Sequence, residues 1–197
     1  RKPYLSIFSK EAKLLLRTPI YLLNTLGGVV IVPIILVITN FMGDSSSDLE
    51  PIVTLIESKP FLVTLFGIGF VCLLGIMNSV GSTTFSREGK CFWIPRSVPV
   101  DVKDQIIGRV LSSLFIQLIG IFVLIICMLF IVKVTVWNVL GILIFGLLGS
   151  IPVTMLGMIV DIQRPLLKWD NPQKAMKQNL NVLISMGLGT LFLFGIG

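Results

Sequence analysis

The sequence predicts an all-α fold: a polytopic transmembrane helical bundle entered through an N-terminal amphipathic helix. Three observations predict it. Hydrophobic residues make up 54% of the 197 positions and charged residues only 13%, with a mean hydropathy of +0.96. A water-soluble domain of this size cannot hide that much apolar surface, whereas hydrocarbon lipid does not penalise it. The apolar residues fall in runs long enough to cross a bilayer, and the basic residues cluster at alternate junctions between those runs.

Residues 1–17 form the entry helix. Ser6, Ser9, Lys10, Lys13 and Arg17 recur at helical spacing and make a polar stripe, while Tyr4, Leu5, Phe8, Ala12, Leu15 and Leu16 populate the other side. That pattern fits a helix lying in the membrane interface with Lys10, Lys13 and Arg17 near lipid phosphates. A helix packed on a partner would show the same pattern.

Pro19 restarts the chain, and a first span is predicted over 20–42, kinked by Pro33. At 1.5 Å per residue it reaches about 34 Å, enough to cross with some tilt. Asn24 near its start fits a helix-to-helix hydrogen bond or a point on a substrate path. Gly43 to Pro60 is a polar loop, and the second span follows over 61–84. Gly67, Gly75 and Ser79 share one face of it, as close helix packing or a pore lining would require.

The loop from Phe85 to Lys103 mixes charges, aromatics and prolines. Asp101 is placed to cap the third span, 106–132, and Arg109 stands early enough in it to snorkel back to the surface. Lys133 to Trp137 is a short turn. The fourth span covers 137–160, with Gly141, Gly146, Gly149, Pro152 and Gly157 along it, and Asp161 stands alone at its end. A second polar loop runs to Asn179, and the last span, 180–197, is expected to be truncated. Trp93, Trp137 and Trp169 fall near the predicted boundaries, as interface anchors do.

The charge distribution fixes a topology. Arg1, Lys2, Lys10, Lys13 and Arg17 precede the first span; Arg87, Lys90, Arg96 and Lys103 follow the second; Arg164, Lys168, Lys174 and Lys177 follow the fourth. The opposite side keeps only Lys59 and Lys133, beside four acids, so the N-terminal segment and both basic loops are expected in the cytoplasm, in a multi-pass protein of the plasma membrane. The net charge of +6 does not point to nucleic acid, because the basic residues form short clusters beside apolar runs and no long basic face. Cys72 and Cys127 lie in apolar spans and Cys91 in a charged loop, which gives no pairing framework. The sequence has no His, and neither a catalytic residue nor a metal or other cofactor is assigned.

The layout points to a partner acting on the basic side. Arg87, Glu88, Lys90, Phe92, Trp93 and Arg96 give the loop after the second span charges and aromatics suited to an interface. An ordinary orienting loop with a lipid-facing tryptophan fits those residues as well. Three segments, KEAKLLLRTPIYLLN (Lys10 to Asn24), FSREGKCFWIPRSVPV (Phe85 to Val100) and DIQRPLLKWDNPQKAMKQNLN (Asp161 to Asn181), resemble the integral membrane permease subunits of bacterial ATP-binding cassette exporters of the type-two class. The resemblance covers most of the chain. It implies an amphipathic connecting helix before the first span and a coupling helix between the second and third that docks into a nucleotide-binding subunit. It also implies that this stretch is the second half of a longer chain, working with a second permease half or subunit.

The chain carries no phosphate-cradling G-x-x-x-x-G-K-[ST] motif, so ATP hydrolysis is expected in the partner and not here. Two other classes compete. A membrane-embedded enzyme would need paired acids, His or a nucleophile at membrane depth, which the spans lack. An ion-coupled secondary transporter, or another polytopic protein without an ATPase, fits the prolines at 33 and 152, but no carboxylate is placed mid-span to hold a coupling ion.

Overall fold

A computed structural model describes residues 2–42, 55 and 58–196. The structure is an all-α polytopic bundle. In chain order its elements are α1 (Pro3–Arg17), α2 (Pro19–Leu26), a π-helical turn (Gly27–Ile31), α3 (Val32–Met42), α4 (Pro60–Met77), α5 (Ser79–Ser82), a 3-10 helix (Ser86–Cys91), α6 (Ile94–Ser97), α7 (Val102–Ile131), α8 (Val136–Gln163), α9 (Pro172–Met176) and α10 (Leu180–Ile196). Among the described residues five segments are long and apolar enough to cross a membrane: Pro19–Thr39, Pro60–Cys91, Val102–Ile131, Val136–Gln163 and Pro172–Gly195. Most of the loop expected from Gly43 to Pro60 lies outside the described residues.

The helix boundaries follow local chemistry. Thr18 is extended (φ −99, ψ 106), as a residue before proline prefers, so α1 ends there and α2 restarts with Pro19 in its first turn. Pro33 does perturb the first span, but upstream of itself. With no N–H it cannot bond the carbonyl one turn back, and the ladder widens to π register over Gly27–Ile31 before α resumes at Val32. Asp101 caps α7: its Oδ1 accepts from the Lys103 N–H at 3.4 Å.

The second span is not one helix. It breaks at Asn78, which is extended (φ −72, ψ 96), and the short α5 follows. Asn78 itself holds the break together. Its Oδ1 accepts from Val80 N–H at 3.1 Å, and its amide donates to the Ser113 carbonyl at 3.1 Å. Gln117 donates to the Val71 carbonyl at 2.8 Å. These buried polar groups on α4 and α7 satisfy each other inside an apolar bundle. Asn24, the expected helix-to-helix bonder, has no side-chain hydrogen bond among the described residues; Asn78 and Gln117 take that role.

Glycines set the packing of α4 against α8. The two helices run parallel and their contacts advance four residues at a time. A Cβ on Gly67 would overlap the Ile142 side chain, one on Gly146 would come within 2.8 Å of Val71, and one on Gly75 would meet Ser150 at 3.4 Å. Large residues on one helix thus fill the spaces left by small ones on the other. Gly67 and Gly75 share this face, whereas Ser79 belongs to the separate turn after Asn78. The core between α4, α7 and α8 is Val63, Val71, Leu74, Ile121, Leu124, Ile125, Met128 and Ile142.

Candidate functional site

At one end of the bundle α1, the loop after the second span, and the starts of α7 and α10 converge on two buried polar centres. The first is an ion cluster. Glu11 of α1 is fully buried, as are the side chains of Arg87 and, to within 2%, Arg109 of α7. Arg87 Nη2 lies 3.2 Å from Glu11 Oε2, and Arg109 Nη1 lies 3.5 Å from Glu11 Oε1. Glu88 Oε1 accepts from Arg109 Nη2 at 2.6 Å and from Lys10 Nζ at 2.7 Å. Arg109 also donates to the Thr84 carbonyl at 3.1 Å, and its guanidinium stacks on the Phe85 ring with 4.6 Å to the centroid. The cluster ties α1 to the loop and both to α7.

Close backbone approach makes this possible. A Cβ on Gly108 would come within 2.8 Å of both the Ile7 side chain and the Tyr4 carbonyl, so glycine lets α1 lie directly on α7. Further along the same contact, Phe8 packs edge-on against Phe115 with centroids 6.0 Å apart.

The second centre is Asp161 at the end of α8. Its Oδ2 accepts from the N–H groups of Phe85, at 2.6 Å, and Ser86, at 3.0 Å. Its Oδ1 accepts from the Ser86 hydroxyl and, at 3.0 Å, from the Asn181 amide. Ser86 also accepts at Oγ from Leu166 N–H, at 2.9 Å, and its carbonyl accepts from Trp169 Nε1 at 2.8 Å. A buried carboxylate with four donors is well satisfied. The Trp169 ring covers Gly89, whose φ of 52 and ψ of −125 belong to a turn position that glycine adopts without steric cost; a Cβ there would sit 2.8 Å from the ring.

Several sequence-based expectations are corrected here. Arg109 does not snorkel; it is buried and ion-paired. Asp161 is not alone at a helix end. Trp169 is no interface anchor but a pin on the loop, whereas Trp93 and Trp137 are exposed, at 64% and 81%. The helix α1, expected to lie along the interface, buries Glu11 and Leu15 against the bundle, and Lys10 joins the cluster while Lys13 and Arg17 stay exposed.

The six loop residues expected to face a partner divide into two groups. Arg87 and Glu88 point inward. Lys90, Trp93 and Arg96 are exposed, and Phe92 is half-buried, edge-on to Phe85 at 6.1 Å and capped by the Arg96 guanidinium at 4.5 Å. The loop does form short helices, the 3-10 helix at 86–91 and α6 at 94–97.

Sequence reading missed Glu11 and Asp161 as members of one site. The available signal was positional. Glu11 falls three residues after Phe8 and four before Leu15, on the apolar stripe, where an unpaired acid would be costly. The two centres form a clamp between remote segments: the ion cluster joins the short loop to α1 and α7, and Asp161 joins it to α8. No family model, curated protein or solved structure matches this chain.

Proposed function

We propose that this chain is the membrane-spanning permease part of an ATP-driven exporter of the type-two class, coupling ATP hydrolysis in a separate nucleotide-binding subunit to substrate movement. The observation that carries the reading is convergence. The three segments that resemble such permeases are remote in sequence, yet Glu11 from the first, Ser86 and Arg87 from the second, and Asp161 and Asn181 from the third meet in adjoining bonded centres. The basic residues of these same segments favour the cytoplasm for this end of a multi-pass plasma-membrane protein. A partner closing on ATP moves spans only through a rigid contact joined to them, and the 86–99 loop is joined to α1, α7 and α8 by buried bonds. Lys90, Trp93 and Arg96 are exposed on that loop and available to the partner. A second permease half completes the transporter.

The test is Trp93→Ala in the complex with the nucleotide-binding subunit. Losing an aromatic anchor costs about 2 kcal/mol, roughly thirtyfold in affinity. Weaker ATPase binding or uncoupled hydrolysis is expected, with Trp137→Ala at the opposite end unaffected. Parent-level coupling in Trp93→Ala would contradict the reading.

One observation favours a second reading, an ion-coupled secondary transporter. The second span is broken at Asn78, and discontinuous helices mark ion and substrate sites in that class. Substrate flux in liposomes driven by an ion gradient, with no ATPase present, would establish it.

A further inference from the structure

Beside the ion cluster lies a cavity of about 440 Å³ between α1 and the 86–99 loop. Its walls are apolar, formed by Ile7, Leu14, Ile94, Pro95, Val98 and Val100. Its charged side is different in kind: Lys10, Arg87, Glu88 and Arg109 all line it. With Glu11 behind them these groups carry three positive charges against two negative. The cations are not saturated by their protein partners. Arg87 Nε and Nη1, Arg109 Nε and one acceptor, Glu88 Oε2, are buried and have no hydrogen-bond partner among the described residues, so unpartnered donors outnumber the unpartnered acceptor three to one. A buried guanidinium left with unpartnered N–H groups calls for an oxyanion.

The depth of the cavity decides what kind. Gln105 and Arg109, in the first two turns of α7, form part of its lining. The 30 residues of α7 extend about 45 Å, the thickness of the hydrocarbon core together with its headgroup layers. Its first turns therefore stand at headgroup level. Two of the cavity's apolar lining residues, Ile94 and Val98 on the loop, are themselves exposed. Apolar walls with a cationic end at headgroup level match an amphiphile rather than a soluble anion.

We propose that this cavity binds an anionic membrane lipid, its acidic headgroup against Lys10, Arg87 and Arg109 and its acyl chain along the apolar wall. The bound lipid would fill the wedge between α1 and the loop and so brace the clamp. The inference does not rest on an ATPase partner; it would hold for any function of the bundle.

Cys91 supplies a reporter. It lines the cavity and is exposed, while Cys72 and Cys127 are buried. The experiment is maleimide labelling of Cys91 in nanodiscs of phosphatidylcholine alone or with phosphatidylglycerol. The control is a protein carrying both Ser97→Cys and Cys91→Ser, whose introduced thiol lies on the same loop outside the cavity lining. We expect phosphatidylglycerol to slow Cys91 labelling at least about fivefold, as in a site roughly four-fifths occupied, and to leave labelling at position 97 of the control unchanged. Lys10→Gln, at a half-exposed position, and Val98→Trp, which fills the cavity, should each abolish the lipid dependence. Equal Cys91 rates in the two lipids, or equal slowing at position 97 of the control, would overturn the proposal; the first result would leave the cavity to a protein partner. The same protection from inorganic phosphate in phosphatidylcholine would also overturn it, by showing a free-anion site with no role for the acyl chain.

Discussion

Glu11 and Arg87 lie 76 residues apart in sequence and 3.2 Å apart in space, and neither side chain is exposed to solvent. Their pairing joins the entry helix to the loop that links the second and third spans. Removing one member leaves an uncompensated buried charge, which costs about 3–5 kcal/mol, more than the intact pair contributes. Glu11→Gln should therefore lower the thermal midpoint of the purified protein sharply, since it strands Arg87, while Arg109 keeps Glu88. In a double-mutant cycle, Glu11→Gln with Arg87→Gln should be less damaging than the sum of the single changes. Additive effects would mean the two do not interact.

Asp161 supports the other side of the loop by accepting from Phe85, Ser86 and Asn181. Asp161→Ala orphans the buried N–H groups of residues 85 and 86, at about 1–3 kcal/mol for each group left unsatisfied. Asn181→Ala removes one donor and leaves the carboxylate three others, so its effect should be the smaller. Hydrogen exchange at residues 85–91 should rise in Asp161→Ala and change little in Asn181→Ala.

Gly89 carries two constraints, a positive φ and the Trp169 ring over its Cα. Gly89→Ala should cost about 1–3 kcal/mol for backbone strain alone, with the ring displaced in addition. The expected readout is a red shift of Trp169 emission in a Trp93→Phe, Trp137→Phe background, as the indole loses its bond to the Ser86 carbonyl and gains water.

Two glycines on α4 separate packing from composition. A Cβ on Gly67 would overlap Ile142, whereas one on Gly69 meets nothing within 4 Å. Gly67→Ala should destabilise by about 1–3 kcal/mol through overpacking. Gly69→Ala should be neutral or slightly stabilising, because alanine is the better helix former. Equal effects at the two sites would contradict the parallel α4–α8 packing.

Much of the architecture was legible from local pattern. The long apolar runs become five long apolar helical segments, with Pro19 in the first turn of one and Asp101 capping another, because such signals act within one turn of helix. The candidate site was not, and the reason is distance. Glu11 finds Arg109 across 98 residues and Asp161 finds Phe85 across 76, and no periodicity within one helix reports such a partner. Arg109 reads from sequence as a snorkelling cation because its acids lie on other segments. The break at Asn78 was hidden because the apolar run before it passes into small residues, Ser79 to Thr84, that a membrane helix also accepts; the amide's partners on α7 reveal why the helix stops there.

In the proposed transporter the 86–99 loop is the contact through which a nucleotide-binding subunit drives the bundle. A photo-crosslinking amino acid at position 93, and in a separate protein at position 137, probes that contact in membranes containing the subunit. A crosslink from position 93 that changes in yield when ATP binds is expected, with none from position 137. No crosslink from position 93, or equal yields from both, would refute the coupling role of the loop.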